Sequence, residues 1–368
     1  MNKKRILHVI TTLNHGGAEN VAVNFFRLVD KSKFTCDYLI YINENKDYEE
    51  EINQLGGKVY CITSPRENYI KWRKEFTTFL KNNGPYDIVH SHNLFHSADV
   101  LKIAKHLGIK RRIAHAHTTS SSVNIIILKK IYDHIKRKKM LKYATDLVAC
   151  GTDAGNYLFG KKYFTQKGIV INNDIDLNKF QYKPEMREKY RELLNVQDKY
   201  VILNVGRLLP VKNQLFLIEL MKEINKEHKN VVLLIAGDGI LKEELKQKIN
   251  SYHLQENIIL LGNRDDVPNI LNAADVFIMP SLFEGLPLAT IEAQANGLPV
   301  ILSDTISKEC NITGLVRFIS LDSPKSEWIN IMLSYKDPKH TDTTELIKKM
   351  KYDTESNRVL VNQFYERY

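Results

Sequence analysis

Short apolar runs alternate with amphipathic stretches along the whole chain. In the first half, Ile6–Ile10, Tyr38–Ile42, Lys58–Ile62, Asp87–His90, Arg112–Ala116, Leu147–Cys150 and Ile169–Ile171 read as strands. Helical spacing appears over 48–55 and 97–107, and a helix is expected to open near Ala18. Strands that are apolar throughout, separated by helical segments, predict a parallel sheet covered on both faces. After the polar, turn-prone run Asn172–Asp176 the alternation starts again: helix 186–194, strand Val201–Val205, helix 215–224, strand Val231–Ala236, helix 241–250, then strands Ile258–Leu261, Val276–Met279 and Pro299–Leu302. The pattern divides the chain into domains 1–172 and 177–354, with a helical 355–368 expected to fold back on the first.

The stretch Pro280–Pro299 interrupts this regularity. A Glu-Gly-Leu-Pro turn precedes a short helix, with Pro287 expected near its first position and Gly297 and Pro299 ending it. Free N–H groups and the positive end of the dipole make such a helix start a site for an anion. Glu284 and Glu292 lie eight residues apart, about 80° around a continuous helix at 3.6 residues per turn. Because Glu284 precedes the helix, it is free to point across the same cleft. A phosphate centre flanked by hydroxyl-rich groups suits this arrangement, as in a nucleotide sugar.

Other polar clusters fall at the carboxyl ends of strands, where open parallel sheets bind ligands. Arg207 follows the strand Val201–Val205 and Lys212 lies five residues on, a guanidinium and an ammonium suited to a diphosphate leaving group. Gly237-Asp238-Gly239 is not Gly-x-Gly-x-x-Gly and reads as a tight turn approached closely by a neighbour. Gly262-Asn263-Arg264 occupies a similar end, with its backbone available to a base. In the first half, Gly16-Gly17 lets backbone amides approach a ligand, and His117 ends a strand at an edge crowded by His90, His92, His96 and His115. None of these histidines has helical metal-site spacing, so zinc is not expected.

Length and composition narrow the class. At 368 residues the chain exceeds one ordinary core, and 43% hydrophobic with 26% charged residues marks a soluble globular protein. No 18-residue apolar run is present, and the start Met-Asn-Lys-Lys-Arg leads straight into a strand, so neither a membrane span nor a signal peptide is expected. Four scattered cysteines fit a reduced, cytoplasmic setting. The net charge of +10 is concentrated in 124–142, where Lys129, Lys130, Lys136–Lys139 and Lys142 interleave with Ile127, Leu128, Ile131 and Ile135. This reads either as a basic amphipathic helix lying on an anionic membrane or as an ordinary solvated face. No interleaved aromatics or motif point to nucleic acid.

Taken together, Gly16-Gly17-Ala18-Glu19, Gly206-Arg207…Lys212-Asn213, Gly237-Asp238-Gly239 and Glu284-Gly285-Leu286-Pro287…Glu292-Ala293…Gly297-Leu298-Pro299 resemble glycosyltransferase family 4, in order over nearly the whole chain. Within that family the chain is most similar to transferases of bacterial capsule and exopolysaccharide assembly. The resemblance implies two Rossmann-like α/β domains facing across a cleft (GT-B), the first on the acceptor side and the second binding the nucleotide sugar. It implies a retaining hexosyl transfer from a nucleoside-diphosphate sugar, with UDP as the family-level expectation, without metal or cofactor; the basic helix near Lys129–Lys142 and the lack of a membrane span make a lipid-linked saccharide the expected acceptor. Arg207 and Lys212 would hold the diphosphate, Glu292 the ribose hydroxyls, and Glu284 the donor sugar. The backbone of Gly206 and of Gly285, Leu286, Pro287 and Leu288 would face phosphates and sugar. His117 would approach the reacting centre, and Gly17 phosphate and acceptor. Two departures stand out: Asn173-Asp174 replaces a common Asn-Gly, and Thr118-Thr119-Ser120 replaces an acid often found there. The expected location is the inner face of the cell membrane, held peripherally. Two rival functions share the scaffold, a nucleotide-sugar epimerase and a non-catalytic nucleotide-sugar-binding subunit.

Overall fold

The computed structural model describes residues 3–14, 16–44, 47–118, 127–335 and 340–367; side chains of 127–129 lie outside that description. The chain forms two compact units, Met1–Asn173 with Glu355–Tyr368, and Asp174–Thr354.

The first unit contains strands β1 (Lys4–Val9), β2 (Phe34–Ile40), β3 (Val59–Cys61), β4 (Ile88–Ser91), β5 (Arg111–Ala116), β6 (Asp146–Ala149) and β7 (Gly168–Val170). They make one parallel sheet in the order β3-β2-β1-β4-β5-β6-β7. The second unit contains β8 (Tyr200–Val205), β9 (Val231–Ala236), β10 (Ile258–Gly262), β11 (Val276–Met279), β12 (Val300–Ser303) and β13 (Val316–Ile319). Its parallel order is β10-β9-β8-β11-β12-β13. Each sheet reverses its winding once, between β1 and β4 and between β8 and β11, and a crevice forms at such a reversal.

Burial explains why these runs are strands. Every residue of β4, β6, β9, β11 and β12 is buried, and each sheet has an apolar cluster on each face. Helices not legible in the sequence pattern are Tyr69–Asn83, Thr152–Phe159, Lys161–Lys167, Leu177–Phe180, Val267–Ala273, Lys325–Leu333 and Thr344–Lys349. The strand β13 is not legible there either, because it is an edge strand with one buried residue rather than an apolar run.

The helix Thr354–Glu366 belongs mostly to the first unit, and a buried arginine holds it there. Arg111 donates to the carbonyls of Phe364 (2.7 Å) and Tyr365 (3.0 Å) while pairing with Asp146 at 3.2 Å. Carbonyls at a helix end lack intrahelical donors, and a cation there also suits the dipole. Among the described residues no helix is long and apolar enough to cross a membrane.

Candidate active site

The loops after β8 and β11 flank the reversal of the second sheet, and hydrogen bonds join them. Leu282 N–H donates to Val211 O (2.8 Å), and Asn213 Nδ2 donates to Pro280 O (3.1 Å). Pro210–Lys212 makes a single 3-10 turn that ends at Asn213 in the left-handed region (φ 57°), a conformation asparagine tolerates. This turn folds Lys212 back over Gly206, where a Cβ would stand 3.6–3.7 Å from its side chain. The Lys212 ammonium lies 2.5 Å from Glu284 Oε1, with each side chain only 17% exposed. A cation and a carboxylate from two loops therefore meet at the sheet's reversal point, half-withdrawn from water.

Gly237 supports the same turn. Its φ is +145°, and a Cβ there would run into the Gly206 carbonyl, well inside contact distance. Leu208 N–H donates to Asp238 O (2.9 Å), so the Gly-Asp-Gly segment braces the Gly206–Arg207 turn. Arg207 itself is exposed, and its carbonyl accepts from Gln214 Nε2 at 3.1 Å. Asn263 is exposed as well. Arg264 is engaged within its own loop: its guanidinium binds both Asp266 oxygens (2.7 and 2.6 Å), and Tyr190 OH donates to the same carboxylate (2.9 Å). The backbone at Arg264 remains available to a ligand beside this ion pair.

The short helix runs Leu288–Ala295, one residue later than expected. Pro287 is its N-cap, buried and extended (ψ 118°), and its carbonyl accepts from Thr290 N–H (3.1 Å) and Thr290 Oγ1 (2.7 Å). Proline has no N–H, so Pro287 shapes the turn without offering a donor. No side chain caps the helix, leaving the Leu288 and Ala289 amides of its first turn without intrahelical acceptors. Glu292 projects from this helix and keeps partial access to water; desolvation by burial pushes its carboxyl up to about 7.

In the first unit, Gly17 is exposed and opens the helix Gly17–Leu28 directly after the β1 loop. The histidines form a connected set. Alternation along β4 and β5 puts His90 with His92, and His115 with His117, on one face beside His8 of β1. His8 Nδ1 and His92 Nε2 are 3.0 Å apart, and His92 Nδ1 and His117 Nε2 are 2.8 Å apart. His90 joins His115 (3.1 Å) and Tyr365 OH (2.8 Å). Burial lowers His8 and His117 to about 3 and holds His90, His92 and His115 well below the usual range, with neighbouring imidazoles adding to it. His117 is thus a neutral hydrogen-bonding group near pH 7, and its buried Nδ1 has no partner among the described residues. Two triads, His8/His90/His92 and His92/His115/His117, bring ligand atoms within 4.8 Å of one another, close enough to hold a metal ion. Sequence spacing does not reveal this because the residues come from adjacent strands.

The basic segment forms the helix Ile127–Tyr143; 124–126 lie outside the described residues. Its cations divide into two groups. Lys136 and Lys139 both bind the buried carboxylate of Asp99, and Arg137 donates to the carbonyls of Leu158 (3.0 Å) and Tyr157 (2.8 Å). These three hold the helix to the fold. Lys130, Lys138 and Lys142 face outward with Ile131 and Ile135, which are 54% and 57% exposed.

Two parallel-sheet α/β units, the second carrying the Lys212–Glu284 pair at its reversal point, are the architecture of the GT-B class of glycosyltransferase. Residues 185–313 match the family model described as "Glycosyl transferases group 1". A Bacillus subtilis (strain 168) protein named as the glycosyltransferase EpsF is 33% identical over 97% of this chain and 94% of its own. The chain therefore belongs to this glycosyltransferase family. An Escherichia coli relative, named UDP-Gal:alpha-D-GlcNAc-diphosphoundecaprenol alpha-1,3-galactosyltransferase, is 29% identical over 92% of this chain and 89% of that one. Among solved structures, Anabaena Alr3699/HepE in complex with UDP superposes with a TM-score of 0.81 at 16% identity, covering 99% of this chain and 100% of that chain. That likeness establishes the fold.

Proposed function

We propose that this glycosyltransferase is a retaining family 4 enzyme that moves a hexosyl group from a UDP-sugar to a lipid-linked saccharide in surface-polysaccharide synthesis. The observation that carries this reading is the junction of Lys212 and Glu284 beside Gly206 and ahead of the uncapped helix Leu288–Ala295. Arg207, Lys212 and the first-turn amides stabilise the departing diphosphate, whose negative charge grows as its bond to the anomeric carbon breaks. Glu292 accepts from the ribose hydroxyls, and Glu284 from a hydroxyl of the donor sugar. The backbone of Gly285, Leu286 and Leu288 lines the phosphates; Asn263 and the Arg264 backbone serve the base. His117, kept neutral, offers Nδ1 as a hydrogen-bonding atom, and Gly17 serves the acceptor half of the reaction. No protein base and no metal is assigned to the chemistry.

The donor and acceptor classes draw support from the E. coli relative, whose name carries UDP-Gal and a diphosphoundecaprenol-linked sugar. The Anabaena protein, in turn, was solved in complex with UDP. The outward face of the basic helix, with Ile131 and Ile135 beside Lys138 and Lys142, suits peripheral attachment to an anionic membrane surface on the cytoplasmic side. The test is incubation with labelled nucleotide sugars, with and without lipid extract. Acceptor-dependent labelling is expected. Acceptor-free isomerisation would instead mark an epimerase, and binding without turnover a non-catalytic subunit.

A further inference from the structure

Next to the basic helix is a pocket of about 250 Å³. The helix Tyr69–Asn83 contributes Tyr69, Arg73 and Thr77, the helix Ser97–His106 contributes Asp99 and Lys102, and the basic helix contributes Lys139. Three cations thus share the wall with one carboxylate, and Asp99 is already bound by Lys136 and Lys139. Arg73 and Lys102 make no ion pair among the described residues, so the pocket keeps an excess of positive charge, while the Thr77 hydroxyl is already donated to the Arg73 carbonyl (2.8 Å).

One edge of the pocket runs into exposed apolar surface. The Lys136 ammonium lies 5.9 Å from the Tyr69 ring centre and 5.2 Å from that of Tyr132, linking the pocket wall to the outer face of the basic helix. Ile70, the residue after Tyr69, is 81% exposed. A soluble phosphate has no use for these side chains. A lipid presents both a phosphate and an acyl boundary, and cationic donors beside protruding Ile and Tyr complement the two.

We propose that this pocket takes the phosphate of an anionic lipid headgroup, while Ile70, Tyr132 and Ile131 enter the acyl boundary. The proposal rests on the membrane reading of the basic helix and adds a specific contact to it. Diffuse attraction between lysines and a charged surface is screened by salt, whereas contacts within a pocket are screened less. Wild-type protein is therefore expected to keep part of its binding to phosphatidylcholine–phosphatidylglycerol vesicles at high salt, and to bind phosphatidylcholine vesicles weakly at any salt.

The decisive comparison is between Arg73→Gln/Lys102→Gln and Lys138→Gln/Lys142→Gln, which remove equal charge, with circular dichroism confirming the fold of each. At ~1 kcal/mol per cation near an anionic surface, the first pair should lose roughly thirtyfold in flotation affinity together with the salt-resistant part. The second pair should lose only salt-sensitive binding. Equal behaviour of the two pairs, or undiminished salt-resistant binding by Arg73→Gln/Lys102→Gln, overturns the pocket while leaving membrane attachment intact. Failure of the wild type to bind either vesicle removes the membrane reading itself.

Discussion

Glu292 offers a test in which stability and ligand binding move in opposite directions. Its carboxyl titrates near 7 in the folded protein against 4.5 normally, because burial disfavours the charged form. Between those values the folded chain holds a proton that the unfolded chain has released. Stability contributed by this group is therefore present below pH 4.5 and lost as pH rises to about 7. At ~1.36 kcal/mol per tenfold change in proton affinity, the loss is about 3 kcal/mol. Glutamine has the shape of the protonated acid and no such penalty, so Glu292→Gln should be more stable than wild type at pH 8 and equal to it near pH 4.5. For a unit of about 180 residues, ~2–4 °C per kcal/mol makes this a gain of about 6–12 °C. The chain has two tryptophans, Trp72 in the first unit and Trp328 in the second. In a Trp72→Phe background, fluorescence of the buried Trp328 follows the second unit alone. UDP should reverse the order, because only an ionised Glu292 accepts from both ribose hydroxyls, and wild-type UDP affinity should rise with pH through about 7. A stability difference that is constant with pH would refute the raised carboxyl pKa, and equal UDP affinity in the two proteins would refute the ribose role.

Three further outcomes follow from local geometry. Glu284→Gln removes the counter-charge of Lys212 and should tighten UDP binding by roughly three- to tenfold (~0.7–1.4 kcal/mol) while lowering sugar transfer, as read by calorimetry and initial rates. Gly237→Ala forces the Gly206 turn to move and should cost about 1–3 kcal/mol in urea denaturation, with weaker UDP binding alongside. Asp99→Asn leaves Lys136 and Lys139 without their buried partner and should cost about 3–5 kcal/mol; an unchanged urea midpoint would show that they do not anchor the basic helix.

The strands are the most legible part of the chain because parallel sheets bury both faces, so β9 and β11 appear as apolar runs with the same limits in sequence and structure. The helix Tyr69–Asn83 is hard to see although Trp72, Phe76, Phe79 and Leu80 mark one buried face, since the polar residues between them give it low average hydrophobicity. The pocket wall is hidden with it. In the second unit, the crevice at the β8–β11 reversal is legible as two charged loops, but the pairing of Lys212 with Glu284 depends on how the Pro210–Lys212 turn folds back. Clustered cations in 129–142 suggest one membrane-facing set. Only the structure separates Lys136, Arg137 and Lys139, which satisfy internal acceptors, from Lys138 and Lys142, which face outward. The histidine set is legible as two His-x-His strand ends, whereas the part played by His8 requires the register of β1 against β4.

In the proposed mechanism Arg207 and Lys212 stabilise the leaving diphosphate. Its most direct test is kcat for sugar transfer by Arg207→Ala and Lys212→Ala, each shown to be folded by thermal melting. The loss of one transition-state donor predicts a fall of roughly 10²–10³ in each variant (~2.7–4 kcal/mol). Wild-type turnover in either variant would contradict the assignment.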